Sequence, residues 1–477
     1  MNNKRAMYML AVFCFIFLTL IGYMTYTEIR HNEEYNSVSH NLRIKLKDKS
    51  VIRGSIYDRN NLELAYSEKV EGDIFRRYPY ENLYSHVIGY VSKDYVNKTL
   101  LEEKYNTNLL GNNPVNKFTN IINSLKNSNT KGDDLYLTID HELQKAAYNA
   151  MGNHDGSIVA LDVKTGAVLA MVSKPDYNPA DEKFMENLKD TALYSRAIQF
   201  NYPPGSTFKT VTTASIIENG LENEEYNDKN GQYVIKSGDG NSRNDYICRN
   251  EYAKYSYGIT DLEKAFTVSS NVYFAHLSTM LSSNKLRSTA EKFMFNKTIE
   301  FDLPVKKSTF QEGNMTDAEK VMASIGQGKT EATPLHMALV TATIANNGVM
   351  PKPHLVSEIR SGSIVVYKAS ESDLGQVISE QTANQIKDYM RNVVTSGTGK
   401  SAALPNIEVC GKTGTSENAL TAQGGKNAGK THSLFIGFAP YDNPQIAVCV
   451  IMEYAGFGAT YAAPAAKAVM QKYFELN

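Results

Sequence analysis

The sequence predicts a mixed α/β (α+β) protein whose main domain holds one sheet built from both ends of that domain, with helices packed on it. Three observations carry this reading. An apolar hairpin pattern fills Gly156 to Ser173, helical segments dominate residues 206–347, and strand patterns return late in "EVCGKTGTS", "HSLFIGFAP" and "QIAVCVIMEY". Strand runs at both ends of a helical middle close most simply as one layered core. At 477 residues the chain is too long for one ordinary domain, so two or three are expected. Its 42% hydrophobic and 21% charged residues describe a globular protein with a sizeable core. The formal net charge of -1 lacks the basic excess of a nucleic-acid binder, and no nucleic-acid partner is expected.

The elements follow in chain order. Ala6 to Thr27 carries no formal charge and is preceded by Lys4 and Arg5. As a helix it spans roughly 33 Å, enough for a bilayer core of about 30 Å. A cleaved signal peptide fits less well, because the run is long and no small-x-small site follows it. The two basic residues favour a cytoplasmic N-terminus, which places the chain after residue 28 outside. Residues 28–132 are polar and rich in Asn, Lys and Tyr, and "VIRGSIYDRNNLELAYS" reads as strand, turn, strand with the reversal at Asp58 to Asn61. A boundary near residue 133 precedes a helix that Asp140 can cap and whose Leu143, Ala147, Ala150 and Met151 share a face. The hairpin turns at Asp162 to Gly166, and the final "AAPAAKAVMQKYFELN" is a closing helix. The division is therefore 1–27 anchor, 28–133 membrane-proximal pedestal and 134–477 main domain. Cys14 lies in the anchor. Cys248, Cys410 and Cys449 form no disulfide framework and no Cys/His zinc spacing, so no metal or other cofactor is expected.

The chemistry sits in short motifs. "NYPPGSTFKT" puts Ser206 after Pro-Pro-Gly and three residues before Lys209, with Val211, Ala214, Ile217 and Leu221 at helical spacing behind it. Ser commonly starts a helix, and Ser206 and Lys209, at i and i+3, share one side of the first turn. That geometry permits chemistry without demanding it. S-x-x-K also occurs at Ser128/Lys131 and Ser282/Lys285, S-x-N at Ser39, Ser242, Ser269, Ser282 and Ser416, and K-T-G at Lys164 and Lys412. Context separates them. Ser128 sits in an Asn-rich loop, Lys164 in the hairpin turn, and Ser282 reads as an interhelical loop. One ordered set remains: Ser206 and Lys209, then Ser269 and Asn271 at a break between helices, then Lys412, Thr413 and Gly414 on a strand. Rival chemistries fare worse. "SGTGKS" and "GQGKT" imitate a phosphate loop but have Val394 and Ala323 where its first glycine belongs. "HELQK" misses the zinc motif H-E-x-x-H at its last position, and no G-x-S-x-G is present.

S-x-x-K, S-D-N and K-T-G are the signature of penicillin-binding proteins and class A β-lactamases, and Ser269-Ser270-Asn271 stands here in the place of S-D-N. The chain resembles a class B penicillin-binding protein, a membrane-anchored D,D-transpeptidase. The resemblance runs from the anchor to the C-terminus through "RGSIYDRN", "TIDHELQKAAYNAM", "GSIVALDVKTGAVLAMVSKPDYNP", "PPGSTFKTVT", "AFTVSSNVYF", "GQGKTEATPLHMALVTATIANNG", "CGKTGTSEN" and "HSLFIGFAP". The pedestal matches least well, since about 100 residues is short for the family. The resemblance implies a transpeptidase domain with a central antiparallel sheet flanked by helices. In it the K-T-G strand lies at the edge, "HSLFIGFAP" beside it and "QIAVCVIMEY" one further in, which keeps Cys410 and Cys449 free.

It also implies roles. Ser206 is the acylated nucleophile. Lys209, if held neutral, takes its proton, and Lys412 is its cationic neighbour. Ser269 relays a proton, and Asn271 orients Lys209 and the substrate amide. Thr413 and Thr415 bind the peptide's terminal carboxylate. The backbone N–H groups of Ser206 and Thr415 hold the oxyanion, each worth about 3–4 kcal/mol in comparable sites. The implied partners are peptidoglycan stem peptides, β-lactams bound covalently at Ser206, and a polytopic membrane glycosyltransferase. The alternatives are a β-lactamase or β-lactam sensor, for which the 143 residues from Ser269 to Lys412 are long, and a non-catalytic cell-wall scaffold.

Overall fold

A computed structural model describes residues 2–36, 51–92, 97–112, 131–181, 183–237, 245–250, 256–416 and 430–477. The chain opens with the helix Asn2–Asn36, whose Met7–Met24 stretch is long and apolar enough to cross a membrane. Phe13, Phe15, Phe17 and Leu18 stand exposed along it. In a helix whose backbone bonds are satisfied internally, such side chains are what a bilayer accepts.

Asp58 makes the first reversal. Its carboxylate accepts from the N–H groups of Asn60 (2.8 Å) and Leu62 (2.7 Å), and Asn61 takes a φ of 67°, a left-handed conformation Asn tolerates well. The flanking strands Ile56–Tyr57 and Glu63–Val70 pair antiparallel, as the strand-turn-strand pattern predicts. They belong to a six-stranded sheet ordered Ile364–Lys368, Val356–Ser361, Asp134–Leu137, Ile56–Tyr57, Glu63–Val70, Asp73–Arg77. Two of these strands arrive from far downstream, so this sheet ties the early chain to the late one. Beneath it lies a buried ion cluster: Glu102 accepts from Arg53 Nε (2.6 Å) and Arg76 Nε (2.7 Å).

Asp140 caps the helix His141–Ala150 by accepting from the Leu143 N–H at 3.0 Å. Leu143, Ala147 and Met151 are buried and Ala150 half-buried. The main sheet has five strands, ordered Cys410–Ser416, His432–Ala439, Ile446–Met452, Gly156–Asp162, Val168–Lys174. Every pairing is antiparallel, and the two ends of the domain do meet in one sheet. The inner strand Ile446–Met452 reads as an unbroken apolar run because both its faces are covered. Alternate residues divide between the two faces. Val448, Val450 and Phe435 meet Leu143 and Val469 on one side, while Ala447, Cys449 and Ile436 meet the layer holding Leu335 and Leu339 on the other. That second layer is the helix Pro334–Ala345, buried on every side and capped by Thr333, which accepts from the His336 N–H. Cys410 and Cys449 are free and buried on strands separated by His432–Ala439, and burial pushes both thiols well above their ordinary range.

The middle of the domain differs from the helical expectation in one place. Tyr226–Asp228 pairs with Gly258–Thr260, and Gln232–Ile235 with Tyr246–Arg249. A local turn separates the two pairs: in "YNDKNGQY" Asp228 accepts from the Gly231 N–H at 2.6 Å and carries the chain from Tyr226–Asp228 to Gln232–Ile235, which pair with different partners.

Candidate active site

The nucleophile candidate is held by a turn rather than capped by its own side chain. Tyr202 bridges to Ala332 through N–H···O bonds of 2.9 and 2.8 Å, and the Gly205 N–H donates to the Gly326 carbonyl at 2.9 Å. Ser206 then lies inside a 3₁₀ turn, Gly205–Phe208, which leads into the α-helix Lys209–Ile217. Pro204 takes the cap position and no side chain caps the turn. Ser206 thus stands at the start of that helix, as the sequence predicts, with the entrance tightened to 3₁₀ geometry and the hydroxyl spared local bonding. Ser206 is buried but keeps 7% of its surface exposed.

Three glycines make this turn possible. Gly205 has φ 53°, and a Cβ there would lie 2.5 Å from the Thr415 carbonyl oxygen. Gly326 has φ 72°, and its Cβ would lie 2.2 Å from the Gly205 carbonyl oxygen. Gly414 faces Thr207 and Pro204 in the same way, at 2.9 and 3.1 Å. The turn thus sits against the Cys410–Ser416 strand with backbone nearly touching backbone. Gly326→Ala is expected to cost about 1–3 kcal/mol through its left-handed φ alone, and to slow penicillin acylation by displacing Gly205. Thermal melting and the acylation rate check both.

Lys209 and Lys412 are fully buried. Lys209 Nζ donates to the Ser269 carbonyl (2.8 Å), Asn271 Oδ1 (2.6 Å) and Ser269 Oγ (3.3 Å). Lys412 Nζ donates to the same Ser269 Oγ at 2.8 Å and to the Thr413 carbonyl at 3.1 Å. The Ser269 hydroxyl therefore lies between the two lysine nitrogens, with the rings of Phe274 and Phe266 under them at 5.3 and 5.7 Å.

Ser269 reaches that position through a φ of 60°, in a break between the helices Leu262–Thr267 and Asn271–Met280. Ser270 caps the second helix through the Tyr273 N–H (3.2 Å) and donates to Asn250 Oδ1 (3.1 Å). Asn250 Nδ2 in turn donates to Asp228 Oδ2 at 2.7 Å. Asn271 Nδ2 donates to the Arg249 carbonyl, which leaves its Oδ1 for Lys209. The short strand pairs of the middle region are thus the support of the Ser-Ser-Asn break.

Thr413 and Thr415 lie on the edge strand opposite Phe435 and Ser433. The Thr413 hydroxyl is 2.6 Å from that of Thr398. The structure accordingly brings Ser206, Lys209, Ser269, Asn271, Lys412, Thr413, Gly414 and Thr415 to one end of the sheet. The competing matches fall elsewhere. Ser282 caps the helix Ser283–Lys292 through the Lys285 N–H, Lys164 lies in the Asp162 turn, and Lys131 pairs with Asp134. Ser39, Ser128, Ser242 and the Asn418 that follows Ser416 lie outside the described residues, as does most of "NALTAQGGKNAGKTH", expected to be mobile. Sequence reasoning missed Asp228, Asn250, Gly326 and Thr398. Gly326 and Thr398 lie in the two stretches set aside as imperfect phosphate loops.

Comparison with known proteins places the chain in a family. Residues 156–471 match the family described as penicillin binding protein transpeptidase domain, and residues 53–135 that described as penicillin binding protein A dimerisation domain. The peptidoglycan D,D-transpeptidase MrdA of Acinetobacter baumannii is 30% identical over 444 residues, which are 83% of this chain and 65% of that protein. The peptidoglycan D,D-transpeptidase PbpA of Mycolicibacterium smegmatis is 30% identical over 500 residues and is covered, like this chain, to 98%. Among solved structures, penicillin-binding protein A from M. tuberculosis as its penicillin G acyl-enzyme complex superposes with a TM-score of 0.80 at 28% identity, covering 89% of this chain and 100% of that one. A D,D-transpeptidase domain from Eggerthella lenta gives 0.76 at 32% identity, covering 90% and 99%.

Proposed function

The chain belongs to the penicillin-binding protein transpeptidase family, and from that premise we propose that it is a peptidoglycan D,D-transpeptidase working through a serine acyl-enzyme. The observation that carries the proposal is the Ser269 hydroxyl shared by two buried lysines, Lys209 and Lys412, beside the turn that presents Ser206. Two cations on one hydroxyl repel each other, and loss of a proton from Lys209 relieves the repulsion. Neutral Lys209 then accepts the Ser206 proton as Oγ attacks the carbonyl of a stem peptide's D-Ala-D-Ala bond. The backbone N–H groups of Ser206 and Thr415 hold the oxyanion. Collapse breaks the C–N bond, Ser269 passes a proton to the departing D-Ala amine, and Asn271 keeps Lys209 and the substrate amide aligned. A neighbouring stem-peptide amine attacks the ester, loses its proton through the same relay, and releases Ser206. Thr413 and Thr415 hold the terminal carboxylate across Gly414, whose missing side chain lets the strand close on the nucleophile turn. A β-lactam enters the same sequence, but its leaving amine stays tethered after the ring opens.

The protein is membrane-anchored. We place residues 1–27 as cytoplasmic tip and anchor, 28–133 as pedestal and 134–477 as an extracytoplasmic transpeptidase domain, with Lys4 and Arg5 retained inside. A polytopic glycosyltransferase supplies the glycan strands to be cross-linked.

The test is a time course of fluorescent penicillin on the purified protein, with the adduct mapped by mass spectrometry. A label lasting hours on the peptide that contains Ser206 is the expected result. Label lost within seconds would assign a β-lactamase instead. An unlabelled protein, or an adduct on another residue, would sink the reading.

A further inference from the structure

We propose that Thr398 is a positioning residue for the donor peptide's carboxylate, acting through the hydroxyl of Thr413; the inference deepens the transpeptidase reading and rests on it. Thr398 follows the helix Glu380–Thr395 and precedes the short 3₁₀ turn Lys400–Ala402. Its hydroxyl oxygen lies 2.6 Å from that of Thr413; Thr398 is half-buried and Thr413 buried.

The approach is built rather than incidental. The N–H groups of Ser396 and Gly397 both donate to the Asn392 carbonyl and end the helix there. At Gly397 a Cβ would lie 2.4 Å from the carbonyl oxygen of Thr267, in the helix leading to Ser269. Beyond Thr398, the Ser401 hydroxyl donates to the Ala459 carbonyl at 2.6 Å. The turn is thus held against the Ser269 side of the site, against the Lys412 strand and against the segment before the last helix. A glycine on each side of Thr398 serves this approach, which gives "SGTGKS" a use unrelated to phosphate.

The chemistry follows from proton counting. Each hydroxyl has one proton to donate and lone pairs to accept. At 2.6 Å one proton lies between the two oxygens. If Thr413 donates it, Thr413 turns only lone pairs toward the substrate, and a carboxylate, itself acceptor-only, is repelled. If Thr398 donates it, Thr413 keeps its own proton for the carboxylate. The chain Thr398 to Thr413 to carboxylate is then polarised in one direction. Thr398 fixes the rotor of the group that touches substrate without touching it itself.

The experiment compares second-order acylation rates of full-length protein in detergent, using penicillin G and its neutral methyl ester on wild type, Thr398→Val, Thr398→Ala and Thr398→Ser. Both Val and Ala are expected to acylate about tenfold more slowly with penicillin G. Ser should stay within about twofold of wild type, and the ester should react at one rate with all four proteins. Val and Ala acylating at the wild-type rate would overturn the proposal. So would an equal loss on acid and ester, the mark of a merely structural tie, or a Ser variant as slow as Val. Wild type that fails to acylate at all would instead overturn the transpeptidase reading itself, a separate result.

Discussion

Ser206→Ala is expected to leave no covalent penicillin adduct, and Lys209→Ala to slow its formation by about 10²–10⁴-fold, the usual range for loss of a general base. Neither variant should lose its fold. The Ser206 side chain caps nothing in its 3₁₀ turn, so alanine keeps the backbone and removes only the attacking oxygen. Lys209 is more delicate. Its removal strips donors from the Ser269 carbonyl and from Asn271 Oδ1, a cost of about 1–3 kcal/mol for a buried acceptor. It also ends the repulsion with Lys412 across Ser269 Oγ, which offsets part of that loss. A melting temperature near wild type, together with a slowed rate, assigns Lys209 to chemistry. An adduct on Ser206→Ala, or wild-type kinetics from Lys209→Ala, would remove the proposed roles.

What could be read from the sequence, and what could not, divides along a physical line. The five-stranded sheet was legible because Ile446–Met452 and His432–Ala439 are buried on both faces, which makes both strands predominantly apolar. The Asp140 cap and the Asp58 reversal were legible because each acts on backbone within a few residues of itself. Ser206, Lys209, Ser269, Asn271 and Lys412 were legible as spacings, each inside a short segment whose pattern named its element. Gly326 was not, because its need for a left-handed φ arises from a carbonyl 121 residues earlier, that of Gly205. Thr398 was not, because a hydroxyl on a turn has no pattern until Thr413 meets it. Asp228 and Asn250 lie in a polar stretch with no periodicity, and only the folded strand pairs bring them into a hydrogen-bonded chain with Ser270. At Ser206 the helix start was legible but its 3₁₀ geometry was not, because the Gly205 N–H bonds to the Gly326 carbonyl far along the chain.

Glu102→Ala is expected to cost about 3–5 kcal/mol, because removing one member of a buried ion cluster strands the others. Glu102 is fully buried, and the side chains of Arg53 and Arg76 are 2% and 4% exposed. Two guanidinium groups and the Tyr78 hydroxyl converge on this one carboxylate. Alanine would leave two positive charges facing each other out of reach of water. Burial alone would raise the Glu102 carboxyl, but Arg76 and Arg53 outweigh it and hold the group below its ordinary value of 4.5. The sign of the pH effect follows. A carboxyl depressed in the folded state contributes its full stability above the unfolded value and loses it as pH falls through the folded one. Wild type should therefore weaken progressively below about pH 4.5, and Glu102→Gln should flatten that limb of the curve while lowering stability at pH 7. Denaturant melts between pH 3 and pH 7, about the range the linkage spans, check this; an alanine variant melting with wild type at pH 7 would refute it. The six-stranded sheet above this cluster takes Val356–Ser361 from the catalytic part of the chain, while the site stands on the separate five-stranded sheet. Damage at Glu102 should thus lower the melting temperature first and leave Ser206 labelling intact in the cold, which would separate what holds the pedestal from what performs the chemistry.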